Sequence, residues 1–176
     1  LDNKMKNHII DKDEEDRRLK ALAEYRILGT EPESCYDDIT QIAARTCHVP
    51  ISLMTLVDKD RQWFKSKVGF QTSETRRDWS FCTHAIKENN PLIINDAYQD
   101  KRFINNPLVT GEPKIRFYAG FPLRNNDGNK LGTLCVIDRK PGTLDAEQCS
   151  IMELLAKQIV SFLELRKRSL NLLDAL

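Results

Sequence analysis

Residues 115–137 read IRFYAGFPLRNNDGNKLGTLCVI. Two runs rich in aromatic and β-branched residues, Ile115–Leu123 and Leu131–Ile137, flank the polar segment Asn125–Asn129, which holds Asp127-Gly128. Asp-Gly accepts the backbone angles of a tight hairpin turn, so the two runs are expected to pair as antiparallel strands. Upstream, Ile51–Val57 (ISLMTLV) is apolar on both alternating faces apart from Ser52 and Thr55, the pattern of a central strand covered on both sides. The turn Asp58–Asp60 leads into Arg61–Val68 and a second hairpin. Period-two alternation there puts Gln62, Phe64, Ser66 and Val68 on one face and Trp63, Lys65 and Lys67 on the other. Gly69–Asp78 is polar and reads as a loop, and Leu92–Ile94 adds a short strand.

Helices bracket these strands. Asp11 and Glu14 have the spacing of a capping box, and Leu19, Leu22, Ala23 and Ile27 follow on one face, ending near Gly29. Thr30 and Glu33 repeat the box before Tyr36, Ile39, Ala43, Ala44 and Cys47, with Pro50 as the stop. Ser80 is placed to cap a short helix reaching about Lys87. Asp96–Gly111, which contains Pro107, has no clean period. It reads as a long connection with one helical turn, and connections of that length are commonly functional. Asp145 with Gln148 caps a last helix running to Leu176, about 30 residues and roughly 45 Å long. Ile151, Leu155, Phe162, Leu165, Leu172 and Leu176 follow near-heptad steps along it, with Gln158 and Ser169 in the seam. Met152, Ile159, Val160 and Leu163 widen the apolar surface, so one side is expected on the sheet and another on a partner chain or the first helix. A single wide core face is the plainer alternative. Two hairpins with helices at both ends predict an α+β layer fold.

The bulk numbers bound the function. The chain of 176 residues suits one domain. Its net charge of +1 gives no overall pull toward nucleic acid or an anionic membrane. No apolar run approaches the ~18 residues of a membrane helix, and no signal peptide opens the chain. The start at Leu1-Asp2 is what a fragment of a longer protein would show. Five scattered cysteines without a Cys-x-x-Cys pair argue for reduced thiols and a cytoplasmic location, not for disulfides or structural zinc.

The residues with the most chemistry gather in Asp78–Phe121: Cys82, His84, Asp96, Asp100, Arg102 and Tyr118. A cysteine near a histidine can form an activated thiolate, or bind metal together with Cys135. Positions two apart do not face each other on a helix, so the plainer reading is a buried cysteine beside a pocket-lining histidine. Asp96 can cap the turn at Ala97. Arg102 can pin the connection by pairing with a carboxylate or turn inward to hold an anionic ligand. Trp63, Phe64, Phe81, Phe103, Phe117 and Tyr118 suffice to line a pocket or to fill a core. No phosphate-binding glycine pattern occurs. Arg166–Arg168 reads as a solvated helix face.

Six pieces carry a family resemblance: RLKALAEYRILGTEPE (18–33), DRQWFKSKVG (60–69), SFCTHAI (80–86), NDAYQDKRF (95–103), IRFYAGFPL (115–123) and LGTLCVID (131–138). In this order they resemble a GAF domain of a bacterial signalling protein of histidine kinase, response regulator or diguanylate cyclase type. The resemblance covers about residues 17–166. It implies a PAS-like, six-stranded antiparallel sheet with terminal helices on one face and a loop-and-helix roof over a ligand pocket on the other. Residues 1–16 would be a leader and the start of the first helix. Residues 167–176 would extend a signalling helix toward a downstream output domain. The pocket candidates are Phe64, Phe81, Cys82, His84, Asp96, Arg102, Phe103, Tyr118 and Cys135. A homodimer would form through Leu19, Leu22, Ile151, Leu155, Phe162, Leu165 and Leu172. The implied role is non-enzymatic small-molecule sensing and dimerisation in two-component-type signalling, with no metal and an unnamed ligand. The alternatives are a small thiol enzyme or redox sensor using Cys82, and a ligand-free dimerisation spacer. The Asn-Lys-Phe-Asp-Glu signature of cyclic-nucleotide-binding members cannot be laid on NDAYQDKRFINNP. Thr83 separates Cys82 from His84, unlike the adjacent pair that bilin-binding members use. The cysteine arrangement of the free methionine sulfoxide reductases is not matched.

Overall fold

The computed structural model describes residues 11–176; the expected leader lies outside them, apart from its last residues. Helix α1 (Lys12–Glu24) starts at Asp11, whose carboxylate accepts from the Asp13 N–H at 3.4 Å. Asp13, Glu14 and Glu15 in the first turn complement the positive end of the helix dipole. Asp11 is thus the cap, but its side-chain bond goes to Asp13 and no box with Glu14 forms. The helix stops at Glu24, before the expected Gly29, because Arg26 turns into the left-handed region at φ 49°. Ala23 is exposed, and the inward face is carried by Arg18, Ala21 and Leu22.

Helix α2 (Ser34–Cys47) lacks the expected Thr30–Glu33 box. The Thr30 hydroxyl donates to the Ile27 carbonyl at 2.6 Å, and Glu33 is drawn away to Lys65. His48, at φ 54°, ends this helix ahead of Pro50.

Strands β1 (Ile51–Val57), β2 (Arg61–Val68), β3 (Glu74–Arg76), β4 (Leu92–Ile94), β5 (Phe117–Arg124) and β6 (Lys130–Asp138) form one sheet in the order β3-β2-β1-β6-β5-β4. Every neighbouring pair is antiparallel. Two hairpins, β1–β2 and β5–β6, meet through β1 and β6 at the centre, and all seven residues of β1 are buried. The short polar β3 lies inside the segment expected to be a loop.

The alternation expected for β2 fails halfway. Ser66 stands opposite Met54 and Phe64 opposite Thr55, leaving Lys65 as the extra residue of a bulge. Phe64 therefore faces one layer, while Lys65 and Ser66 both turn to the other. Lys65 meets Thr30 and Glu31 there, and Ser66 meets Thr40 and Asp37 of α2.

Helices α1, α2 and α5 (Ala146–Asp174) cover one face of the sheet. Leu22, Tyr25, Tyr36 and Ile39 pack there with Met152, Ile159 and Leu163 against Met54, Leu56, Phe117, Phe121 and Leu134. Helices α3 (Phe81–Ala85) and α4 (Pro107–Thr110), with the connections around them, roof the other face. Ser80 caps α3 through the Thr83 N–H at 3.2 Å, although α3 ends at Ala85, short of Lys87. The predicted Asp145–Gln148 capping box is present, and α5 runs for 29 residues.

Candidate functional site

Between sheet and roof lies a cavity of ≈ 20 Å³. Ile51 and Leu53 of β1, Phe64 of β2, Phe81 and Cys82 of α3, Tyr118 of β5 and Cys135 of β6 bound it, together with Phe70, Leu108 and Pro113. One water needs about 10–15 Å³ on this measure, so the space suits one small molecule of a heavy atom or two. The interior is filled by its own side chains. Phe103, with no exposed surface, stacks on Phe81 with ring centroids 4.1 Å apart, and Phe81 touches the Tyr118 ring at 5.1 Å.

Five of the nine expected pocket residues line this cavity: Phe64, Phe81, Cys82, Tyr118 and Cys135. The other four stand elsewhere. Phe103 is packing behind Phe81. His84 sits edge-on to Phe103 at 4.9 Å, half-buried, and burial lowers its pKa. Asp96 and Arg102 point to the outer surface of the roof. Asp96 accepts from the Tyr98 N–H at 3.0 Å, so it caps that turn as expected, and it also takes a two-pronged bond from Arg116 at 2.8 and 2.9 Å. The Arg116 guanidinium lies over the Tyr98 ring, 3.8 Å from its centroid. Arg102 pairs with Asp100 at 3.0 and 2.7 Å instead of turning inward. Each arginine, through its hydrogen bonds, holds its carboxylate below the usual range. Asn106 ties α4 to the Trp79 carbonyl at 2.9 Å, and Ser80 donates to Gln62 of β2 at 2.7 Å. These bonds pin the roof at several points along its length.

A buried polar cluster adjoins the cavity through Cys82, Tyr118 and Cys135. The Cys82 sulfur is 3.1 Å from the Tyr118 hydroxyl and 3.0 Å from the Thr133 hydroxyl. Thr133 in turn lies 3.0 Å from the Thr55 hydroxyl on β1, whose oxygen accepts from the Thr133 N–H at 3.2 Å. Cys135, buried on β6, bounds the same cavity as Cys82. Burial alone would push the Cys82 pKa up, but the hydrogen bonds from Cys135, Thr133, Thr55 and Tyr118 outweigh it and bring it below the ordinary thiol value. Burial, with the neighbouring Cys82, holds Cys135 well above it. Thr55 and Thr133 are not among the pocket residues the sequence suggests; the signal they carry is a hydroxyl in a largely apolar strand.

On the opposite face, α5 is fastened at its far end. Arg166 donates to the Tyr25 and Arg26 carbonyls at 2.8 and 2.7 Å, where α1 ends. It also reaches Glu33 at 3.9 Å, and Lys167 pairs with Glu24 at 2.9 Å. Tyr25 bonds Glu164, and Arg26 bonds Asp174. Arg166 and Lys167 are therefore clasp residues instead of a solvated face, and only Arg168 of the three is exposed.

Of the expected dimer residues, Leu22 is 1% exposed and belongs to the chain's own core. Leu19, Ile151, Leu155 and Phe162 are half-buried, Phe162 standing edge-on to Tyr36 at 6.1 Å. Leu165 and Leu172 are 58% and 70% exposed, as is Leu154 at 57%. Among the described residues no group of three metal-binding side chains converges, and no helix is long and apolar enough to cross a membrane.

Comparison with known proteins gives three kinds of likeness. The family model for the GAF domain matches residues 31–162. The chain is 36% identical over 163 residues to a cyclic di-GMP phosphodiesterase of Pseudomonas aeruginosa, a match that covers 92% of this chain and 28% of that protein. Among solved structures, the GAF domain of an Acinetobacter phosphoenolpyruvate-protein phosphotransferase superposes with a TM-score of 0.62 at 14% identity, covering 92% of this chain and 99% of that one. A GAF region from Geobacter sulfurreducens gives 0.59 at 18%, covering 86% and 99%. A free methionine-R-sulfoxide reductase of Neisseria meningitidis gives 0.61 at 14%, covering 90% and 95%. At these identities the structural likeness shows the fold.

Proposed function

Since the chain belongs to the GAF domain family, we propose that it is a regulatory domain of a longer bacterial signalling protein. In this reading it pairs with a second copy along α5 and passes the state of its roofed interior through α5 to an attached output domain. The observation that carries the reading is α5 itself. Its buried residues Met152, Ala156, Ile159 and Leu163 satisfy the sheet, yet Leu154, Leu165, Leu172 and Leu173 remain exposed on the same helix. Leu154, Leu165 and Leu172 are spaced by eleven and seven residues, the pattern of a helix seam with a partner. The relative is named as acting on cyclic di-GMP, and this chain spans only 28% of its length. That supports an output domain acting in cyclic di-GMP turnover, beside the kinase and cyclase types the sequence suggested. The chemistry would reside in that output domain.

Light scattering on the 176-residue chain tests the pairing. The expected mass is that of a dimer, with the Leu165→Glu/Leu172→Glu double variant monomeric and folded. A wild-type monomer across the concentration range removes the helix-seam part of the reading.

The small cavity supports a second reading, a dimerisation spacer with a permanently filled interior. Native mass spectrometry of freshly purified protein separates the two. A retained small molecule means that the roof opens and the spacer reading fails, whereas a ligand-free chain after incubation with a bacterial metabolite extract supports the spacer.

A further inference from the structure

The Cys82 environment differs from that of a cysteine buried for packing, which sits among apolar groups and is inert. Two hydroxyls meet this one sulfur in the buried centre of the roofed layer, and Cys135 bounds the cavity beside it. The fold makes room for the arrangement. Gly120 lies two residues along β5 from Tyr118 on the same face, and a Cβ at Gly120 would stand 2.1 Å from the Tyr118 hydroxyl. Any larger residue would displace the phenol from Cys82. Converging donors stabilise a thiolate more than a thiol. Beside them the ≈ 20 Å³ cavity is bounded by both Cys82 and Cys135 and exceeds the ~10–15 Å³ that one water needs.

We propose that Cys82 and Cys135 form a dithiol site that reacts with hydrogen peroxide entering this cavity and closes to an intramolecular disulfide. This inference does not rest on the regulatory reading above. The Cys82 thiolate attacks one peroxide oxygen. The O–O bond breaks, the departing hydroxide takes up a proton to leave as water, and Cys82 becomes a sulfenic acid, oxidised by two electrons. The Cys135 sulfur then attacks the Cys82 sulfur. The S–O bond breaks, the hydroxyl leaves as water with the Cys135 proton, and a disulfide remains. Overall two thiols and one hydrogen peroxide give one disulfide and two waters. Tyr118 and Thr133 hold the sulfur as its anion before the first step. The cavity size selects hydrogen peroxide over bulky organic hydroperoxides.

The test is thiol counting by mass spectrometry on the 176-residue chain after exposure to hydrogen peroxide, with alkylation under denaturing conditions. The chain has five free cysteines. The expected result is two fewer alkylated thiols than in the reduced protein, a cross-linked peptide joining Cys82 to Cys135, and a far-ultraviolet circular dichroism spectrum that stays folded. The Cys135→Ala variant should accumulate a Cys82 sulfenate that dimedone captures. Tyr118→Phe should slow oxidation about tenfold, the equivalent of one pKa unit at the sulfur. Cumene hydroperoxide should react far more slowly than hydrogen peroxide. Five alkylated thiols in the folded wild-type protein after exposure, a bond mapped between other cysteines such as Cys47 and Cys149, or a Cys82 sulfinate beside a free Cys135 would each overturn the proposal. The wild-type measurement decides even where a variant fails to fold.

Discussion

Lys65 shows how one residue can carry an unexpected load. Its side chain has no exposed surface, and its ammonium meets the Thr30 hydroxyl at 2.8 Å, the Glu31 carbonyl at 2.5 Å and the Glu33 carboxylate at 2.7 Å. A lysine is desolvated at this cost only where it is multiply bonded. Hydrogen bonds involving a charge contribute about 1.5–3 kcal/mol, so Lys65→Ala is expected to destabilise the domain by about 2–4 kcal/mol. Lys65→Met, which keeps the stem packed and strands only the acceptors, should cost less. Urea unfolding midpoints check the order, and equal losses for the two variants would assign the effect to packing alone. No period in the sequence announces this role. The alternation rule put Lys65 on a face with Trp63 and was right about that pair. It failed at Ser66, because a bulge inserts one residue and the rule assumes an uninterrupted ladder. The same limit explains the candidate site. Cys82 and Tyr118 stood out by type, but Thr55 and Thr133 meet only because β1 and β6 are neighbours across 78 positions of sequence. His84, Asp96 and Arg102 lay in the right segment, whose sequence does not say which side chains turn in.

At the scale of elements, legibility followed the strength of the repeating pattern. Strands β1, β5 and β6 and helix α5 are long and strongly patterned, and each stands within a few residues of its expected place. Strand β3 is three polar residues, held to β2 by backbone pairing and by Gln62 donating to Thr75 at 2.9 Å, so hydrophobic pattern could not reveal it. Helix α5 also shows what pattern leaves out, namely the contacts of its charged face. Arg166 bonds the orphan carbonyls at the end of α1, where a cation also complements the helix dipole. Arg166→Ala should therefore release the final turns of α5 while leaving the Met152–Leu163 part seated. Amide hydrogen exchange reads this directly, with faster exchange expected beyond residue 166 and unchanged protection around Ile159. Uniform loosening of the whole helix would show that the clasp instead holds α5 as one unit.

Across the whole molecule, Glu15 fastens the helical layer to the approach of the roof. It lies between Arg18 of α1, at 2.9 Å, and Arg77, which also donates to the Asp58 carbonyl at 3.1 Å. Partial burial works to raise its pKa, but the bonds from Arg18 and Arg77 win and lower it from 4.5 to about 2. A carboxylate with a folded-state pKa below its unfolded value stabilises the fold fully above the unfolded value. That contribution is lost as pH falls through the folded one. Stability should therefore decline from about pH 4.5 toward pH 2, with Asp96 and Asp100 adding in the same direction. Denaturation midpoints measured against pH should show this limb, and Glu15→Gln should make it shallower; a limb of unchanged slope in that variant would remove Glu15 as a contributor. The bulge in β2 has a wider consequence. Phe64 bounds the cavity, while the next residue, Lys65, holds Glu33, which touches Arg166 of α5. On the proposed regulatory reading, coupling along that chain would be reciprocal, because linkage between two sites acts equally in both directions. A partner that grips α5 from outside the domain would then tune the chamber as much as the chamber tunes α5.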